Sequence, residues 1–231
     1  MDRRSHIELP ELGSGITLVD IEDDLGVTPV QTLLLDQLLV HDGAALWVDG
    51  NGAARTTRLR ELAPHQRYLD RVHVGRAFTA YQHSSLTDRL SAMESTAPAV
   101  VAATGIDRWY RSDDIPTDRG ESLLVQSLAS LARVARLWDV PVLVTRVCDD
   151  EFSRPVANAA TTHLHCRLTP FGPRYETDDS ERETLVYQAS DGWMQTTIAY
   201  WRRLLKHRAR AHGRVSSEQS PAPPAARAES E

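Results

Sequence analysis

The chain has 231 residues, 41% of them apolar, and a formal net charge of −6. That length supports one sizeable domain with its own core. The charge argues against a globally basic nucleic-acid binder but leaves room for a local basic surface. The start, Met1-Asp2-Arg3-Arg4-Ser5-His6, leads into no apolar h-region, and no apolar run approaches the roughly 18 residues that a membrane span needs. The expectation is a soluble, cytoplasmic protein. Two cysteines, Cys148 and Cys166, make no disulfide framework at this size and are expected to be reduced core or near-core residues.

Short apolar runs alternate with helical patterns along the chain. Strands are expected at 15–20, 44–49, 71–77, 98–103, 141–147 and 161–168, with helices at about 29–41, 54–63, 81–95 and 118–138. The last helix is the clearest, because Leu123, Leu124, Ser127, Leu128, Leu131, Val134, Ala135 and Trp138 fall on one broad face. Val- and Leu-rich strands separated by helices predict an α/β fold with a mostly parallel sheet flanked by helices. After residue 160, alternating segments separated by Pro-Phe-Gly-Pro and Asp-Asp-Ser-Glu read as antiparallel strands added to that sheet. A final helix at about 194–212 closes a single domain over 1–212. Beyond it, 213–231 is mostly Pro, Ala, Ser, Arg and Glu and reads as a disordered tail.

The loop after the first strand has the position of a phosphate-binding loop. In the pattern G-x-x-x-x-G-K-[ST], backbone amides and a helix N-terminus surround phosphate, lysine adds a mobile charge and Ser or Thr ligates magnesium. Residues 21–28 keep only Gly26 and Thr28 of that pattern; Ile21 replaces the first glycine and Val27 the lysine. Glu22, Asp23 and Asp24 would each repel a phosphate charge about 5 Å away by about 3 kcal/mol at an effective dielectric of 20. One reading is a solvated turn in which an Asp and Thr28 cap a helix begun by Pro29. The other is a phosphate bridged by Mg²⁺ or Ca²⁺ on clustered carboxylates.

Two longer stretches carry a resemblance. Residues 71–90, "RVHVGRAFTAYQHSSLTDRL", resemble the segment of RecA/RadA-type recombinases in which a strand ending Arg-Ala-Phe or Arg-Ala-Tyr precedes His-Gln and a Leu-rich helix; here the pair is reversed, Gln82-His83. Residues 108–147 resemble that family's next unit: an Arg-containing loop, a long amphipathic helix and a strand ending Val-Thr-Asn-Gln-Val. The order of elements matches over about residues 13–200. The resemblance implies a RecA-like fold of the P-loop NTPase type. With only one lysine, Lys206, among 26 basic residues, the composition resembles that of a GC-rich or salt-adapted archaeal proteome, and the resemblance then implies an archaeal RadA paralogue.

Each catalytic position that the resemblance implies departs from the family pattern. The P-loop lysine falls on Val27, the glutamate that polarises the attacking water falls near Asn51, and the Walker B aspartate falls at Ala103 or Thr104. The Asn-Gln phosphate sensor falls at Arg146. Valine has no charge and asparagine is a poor base. The expectation is a degenerate ATPase site: no catalytic residue, Gly26 and Thr28 as a P-loop remnant, and no cofactor, with ATP and magnesium disfavoured. The function implied is an accessory or regulatory role in DNA recombination or repair, through contacts with a recombinase or with further copies of itself. An alternative is a divergent ATPase completed by Arg55, Arg58 or Arg146 of a neighbouring subunit.

Other groups carry less. His163, His165 and Cys166 invite a metal reading, but on a strand the histidines share one face and the cysteine takes the other. Asp49 at a strand end is the place for a cap or turn former. The terminal helix carries Arg202, Arg203, Lys206, Arg208, Arg210 and then Arg214, with Trp201, Leu204 and Leu205 as a short apolar strip. These cations either complement the helix dipole and an acidic body or contact nucleic-acid phosphate or an acidic partner. Asp150, Glu151 and Arg154 fall where the recombinases begin their DNA-binding loops, and two acids there weaken direct DNA contact.

Overall fold

The structure, a computed structural model, describes residues 9–22, 25–92, 97–169, 172–177 and 197–212. The Val-, Leu- and Ala-rich runs form β1 (Gly15–Ile21), β2 (Ala45–Asp49), β3 (Val72–Arg76), β4 (Val100–Thr104), β5 (Pro141–Val144), β6 (Thr162–Thr169) and β7 (Gly172–Thr177). They make one sheet in the order β3-β2-β4-β5-β1-β6-β7. Strands β1 to β6 pair in parallel, and only β7 runs antiparallel, against β6.

The segment at 161–168 forms the expected antiparallel pair, with β7, and on its other side also pairs in parallel with β1. Leu18 faces His163 and Asp20 faces His165 in parallel register. A parallel return needs a crossover of a dozen or more residues, and 145–161 supplies it with the short helix α5 (Arg154–Ala159). One and a half turns leave too little periodicity to read from sequence. The tail at 213–231 and the Asp-Asp-Ser-Glu stretch lie outside the described residues.

A parallel sheet buries both faces, and two cores result. Helices α1 (Thr28–Val40), α2 (Thr56–Leu62) and α6 (Thr197–Ala211) cover one face. Helices α3 (Ala80–Ala92), α4 (Thr117–Trp138) and α5 cover the other. Helix α1 is buried nearly all round, with Gln31, Thr32 and Asp36 buried among its leucines, as a helix with cover on every side must be. It is buried from Thr28 to Leu39, with Trp201, Leu204, Leu205 and Ala209 of α6 in the same core. Helix α4 buries the face that its periodicity predicts, from Leu123 to Ala135. Its Gly120 is required by close approach: a Cβ there would stand 2.1 Å from the Tyr110 carbonyl oxygen. The 3-10 turn at Trp109–Arg111 thus lies directly on α4. Among the described residues, no helix is long and apolar enough to cross a membrane. Cys166 is buried as expected, whereas Cys148 sits in the exposed stretch after β5.

Candidate functional site

In open α/β sheets, ligands bind outside the carboxyl ends of strands, where neighbouring strands send their connections to opposite faces. This sheet has two such crevices. Strand β1 leads to α1 on one face while its neighbour β5 leads to α5 on the other; β2 leads to α2 while both its neighbours, β4 and β3, lead to α4 and α3 on the opposite face, so the two switch points flanking β2 form one opening, the β2/β4 crevice.

The β1/β5 crevice holds the loop that resembles a P-loop. Gly26 takes the left-handed conformation, φ +54°, that favours glycine in a turn. Thr28 is buried in the first turn of α1 and does not cap it; Val27 is the N-cap residue, and its side chain makes no capping bond. The expected capping threonine is thus corrected: its position one residue further on makes it helical. Glu22 is turned away, its carboxylate accepting the Leu168 amide of β6 at 2.7 Å. Asp23 and Asp24 lie outside the described residues.

Arginine at the expected sensor position fills the crevice. Arg146 donates through Nε and Nη2 to both oxygens of Asp20, at 2.9 and 2.6 Å, and through Nη1 to Asp149. A second array stands beside it. Arg111 donates to the buried Asp107 at 2.6 Å and to both oxygens of Asp150 at 2.7 and 2.6 Å, and lies 4.6 Å from the Phe152 ring. Asp107 also accepts the Val147 amide at 2.7 Å, and Asp150 accepts the Ser153 amide at 3.0 Å. Arg111 holds the Asp150 carboxyl well below the usual carboxylate range. Bidentate arginine–carboxylate pairs are strong and directional, so these loops are bound to one another. Nearby, Arg154 pairs with Glu151.

The β2/β4 crevice is built differently. Asp49, fully buried at the end of β2, accepts the amides of Asn51, Ala53 and Ala54 at 3.3, 2.9 and 3.2 Å, which makes it the turn former that its position suggested. Thr104, at the end of β4, accepts Trp47 Nε1 at 3.0 Å. Asn51 is exposed and Ala103 buried among apolar neighbours. Above them opens a cavity of about 340 Å³ lined by Asp49, Asn51, Arg55, Arg76, Phe78, Arg108 and Trp109, among others.

Beneath its wall lies a polar chain that sequence reasoning missed. His83 Nδ1 is 2.8 Å from the Tyr110 hydroxyl, which is 2.5 Å from Ser127 Oγ, itself 3.1 Å from Thr87 Oγ1. Thr87 also donates to the Ser84 carbonyl at 2.8 Å. A hydroxyl has one proton. With that of Thr87 on Ser84, the chain is fully served when each group passes its proton one step toward Thr87, which puts the imidazole proton on Nδ1. Burial holds the His83 pKa down to about 4, so the ring is neutral. Only proximity of Gln82-His83 to the family-like segment marked this histidine in the sequence; its partners are 27 and 44 residues away.

The remaining candidates are scattered. His163 is bonded to the Ala157 carbonyl, His165 is exposed and Cys166 points into the core. Among the described residues, no three His, Cys, Asp or Glu side chains are grouped to hold a metal. On α6, Arg202, Arg203, Lys206 and Arg210 are exposed, but Arg208 is not free for a partner. It clamps the buried Asp36 of α1, with Nη2 2.9 Å from Oδ2, and this removes it from the predicted basic surface. Burial raises the Asp36 carboxyl while Arg208 opposes the shift.

The fold and these sites define an α/β protein with a mostly parallel sheet, helices on both faces and two crevices at its carboxyl edge. Compared with known proteins, the chain matches no protein-family model and no curated protein sequence.

Proposed function

We propose that the chain is a non-catalytic RecA/RadA-like paralogue that acts as an accessory or regulatory protein in DNA recombination or repair, by contact with a recombinase or with further copies of itself. The observation that carries this reading is the closed β1/β5 crevice. Where a triphosphate would lie, Arg146 is spent on Asp20 and Asp149, and Val27 offers no charge. Among the described residues of that crevice, Arg146 is held by carboxylates of the chain, and no hydrolytic step is assigned to those residues.

The surface for protein contact is the free edge of the sheet. Among the described residues strand β3 pairs only with β2, and Val74 on it, with Phe78 and Tyr81 just beyond it, is exposed. An open edge with apolar side chains favours strand addition by a partner. Capture of the tagged chain from a native lysate is expected to bring down a recombinase, and Val74→Lys to lose it. Magnesium-dependent ATP turnover that disappears in Asp49→Ala would overturn the reading.

Direct DNA contact is a second reading, favoured by the four exposed cations Arg202, Arg203, Lys206 and Arg210 on α6. It requires retention on DNA that falls steeply with salt and is lost when these four are changed to glutamine. Salt-insensitive retention counts against it.

A further inference from the structure

We infer that the β2/β4 crevice binds a phosphomonoester carrying a flat ring, its phosphate held by Arg55, Arg76 and Arg108 and its ring lying along Phe78 and Trp109. Three observations carry this. The cavity occupies a position where strand connections part to opposite faces, which leaves room above the strand ends. Its volume of about 340 Å³ lies near the lower end for small-ligand sites.

The second observation is charge. Three guanidinium groups and one carboxylate line the cavity. Asp49 is already committed to three backbone amides and to Arg76, whose Nε lies 3.4 Å from Oδ2. Arg55 makes only a long bond to the Gly52 carbonyl, 3.3 Å, and Arg108 lies 5.8 Å from the Trp109 ring with no carboxylate partner among the described residues. This is the reverse of the neighbouring crevice, where Arg111 and Arg146 each have two carboxylates. Forked donors match phosphate oxygens, and a doubly charged phosphomonoester balances the excess.

The third is the wall. Phe78 is 66% exposed, an unusual position for a phenylalanine in a chain of mixed charge. Trp109 is half-buried and fixed by the turn that rests on Gly120. A flat ring can cover both the aromatic faces and the guanidinium planes. Inorganic phosphate alone would use the arginines and leave the rings uncovered.

Two sources share this chemistry: a free nucleoside monophosphate and the 5′-phosphorylated end of a nucleic-acid strand. The test titrates the whole protein with AMP, with inorganic phosphate as competitor, and in a second arm compares 5′-phosphorylated with 5′-hydroxyl oligothymidine, read by tryptophan fluorescence. Saturable binding is expected in at least one arm. It should weaken at least tenfold in Arg108→Ala and in Arg55→Ala and stay unchanged in Arg58→Ala, whose arginine pairs with Glu61 outside the cavity. Binding by AMP alone identifies a free ligand, and binding by the phosphorylated strand alone identifies a strand end. No binding in either arm, equal binding by the Arg55 and Arg108 variants, or equal binding of the hydroxyl and phosphorylated strands as the only interaction would overturn the inference. The inference stands apart from the family reading, since recombinase capture tests Val74 on β3 and is unaffected by Arg108→Ala.

Discussion

The two crevices at the carboxyl edge of the sheet start from the same topology and end as opposites. Between β1 and β5 every arginine is matched by carboxylates of the chain itself, so the charge is used to hold loops together. Between β2 and β4 the carboxylate turns inward to cap a backbone loop and the arginines are left facing a cavity. Position in a fold thus creates an opportunity for binding, and the pairing of charges decides whether it is kept.

The contrast can be broken most strongly at Arg146. Its side chain is 8% exposed and that of its partner Asp20 is 23% exposed. Removing one member of a buried pair costs roughly 3–5 kcal/mol, and the solvent left to Asp20 brings the expected loss for Arg146→Ala to about 3 kcal/mol. In a chain of this length, that corresponds to a fall in Tm of roughly 6–12 °C, measurable by thermal melting. A melt unchanged within a degree would show that the crevice is not held by this pair.

A comparable but pH-dependent effect is expected from His83 behind the open crevice. Its folded pKa of about 4 is depressed from 6.5, so the unfolded chain takes up the proton first as pH falls. Its contribution to stability is complete above pH 6.5 and is lost between 6.5 and 4, by about 3 kcal/mol in all. The carboxyl of Asp150, held low by Arg111, contributes stability above the ordinary carboxylate range and loses it only as pH falls below that range, a window beneath that of His83. Urea melts at pH 7 and pH 4.5 separate the two, because His83→Gln should flatten only the first window. A wild-type difference no larger than that of the variant would remove His83 from the account.

The smallest effect on stability sharpens the contrast from the other side. Arg55→Ala and Arg108→Ala remove exposed side chains with no carboxylate partner, and substitutions of that kind usually stay within about 0.5 kcal/mol. A denaturant midpoint equal to that of the parent, beside the collapse of Arg146→Ala, is the expected pattern. A loss of more than about 1 kcal/mol would mean that these arginines are structural as well.

What sequence could show follows the distance over which each feature is decided. Strands and helices were legible because apolar runs and one-face periodicity are local: α4 buries the expected positions, and β1, β2 and β4 begin or end within two residues of their expected limits. Asp49 was legible as a turn former because its partners lie two to five residues away. The antiparallel pair of β6 with β7 was legible in the same way, but the parallel pairing of β6 with β1 was not, since it joins segments more than 140 residues apart. Neither was the fate of the charges. Arg146 meets Asp20 over 126 residues, and Arg208 meets Asp36 over 172. A list of basic residues on one helix therefore overcounted the free ones. Of the arginines of the open crevice, Arg55 was named only as a group a neighbouring subunit would supply, and Arg76 and Arg108 were missed, because β2, β3 and β4 each bring in part of the site from a separate segment.

The packing of α6 on α1 has a consequence for synthesis and for engineering. The first helix of the chain is covered by the last, through Trp201, Leu204, Leu205 and Ala209. A nascent chain that has released only α1 to β6 carries a leucine-rich helix whose α6-facing side stays bare until residues near 200 leave the ribosome. Such late, long-range closure slows folding and exposes sticky surface meanwhile. Cutting the chain at about residue 200 would remove a layer of the core together with the basic surface, and loss of DNA retention in that fragment would report on folding before it reported on charge.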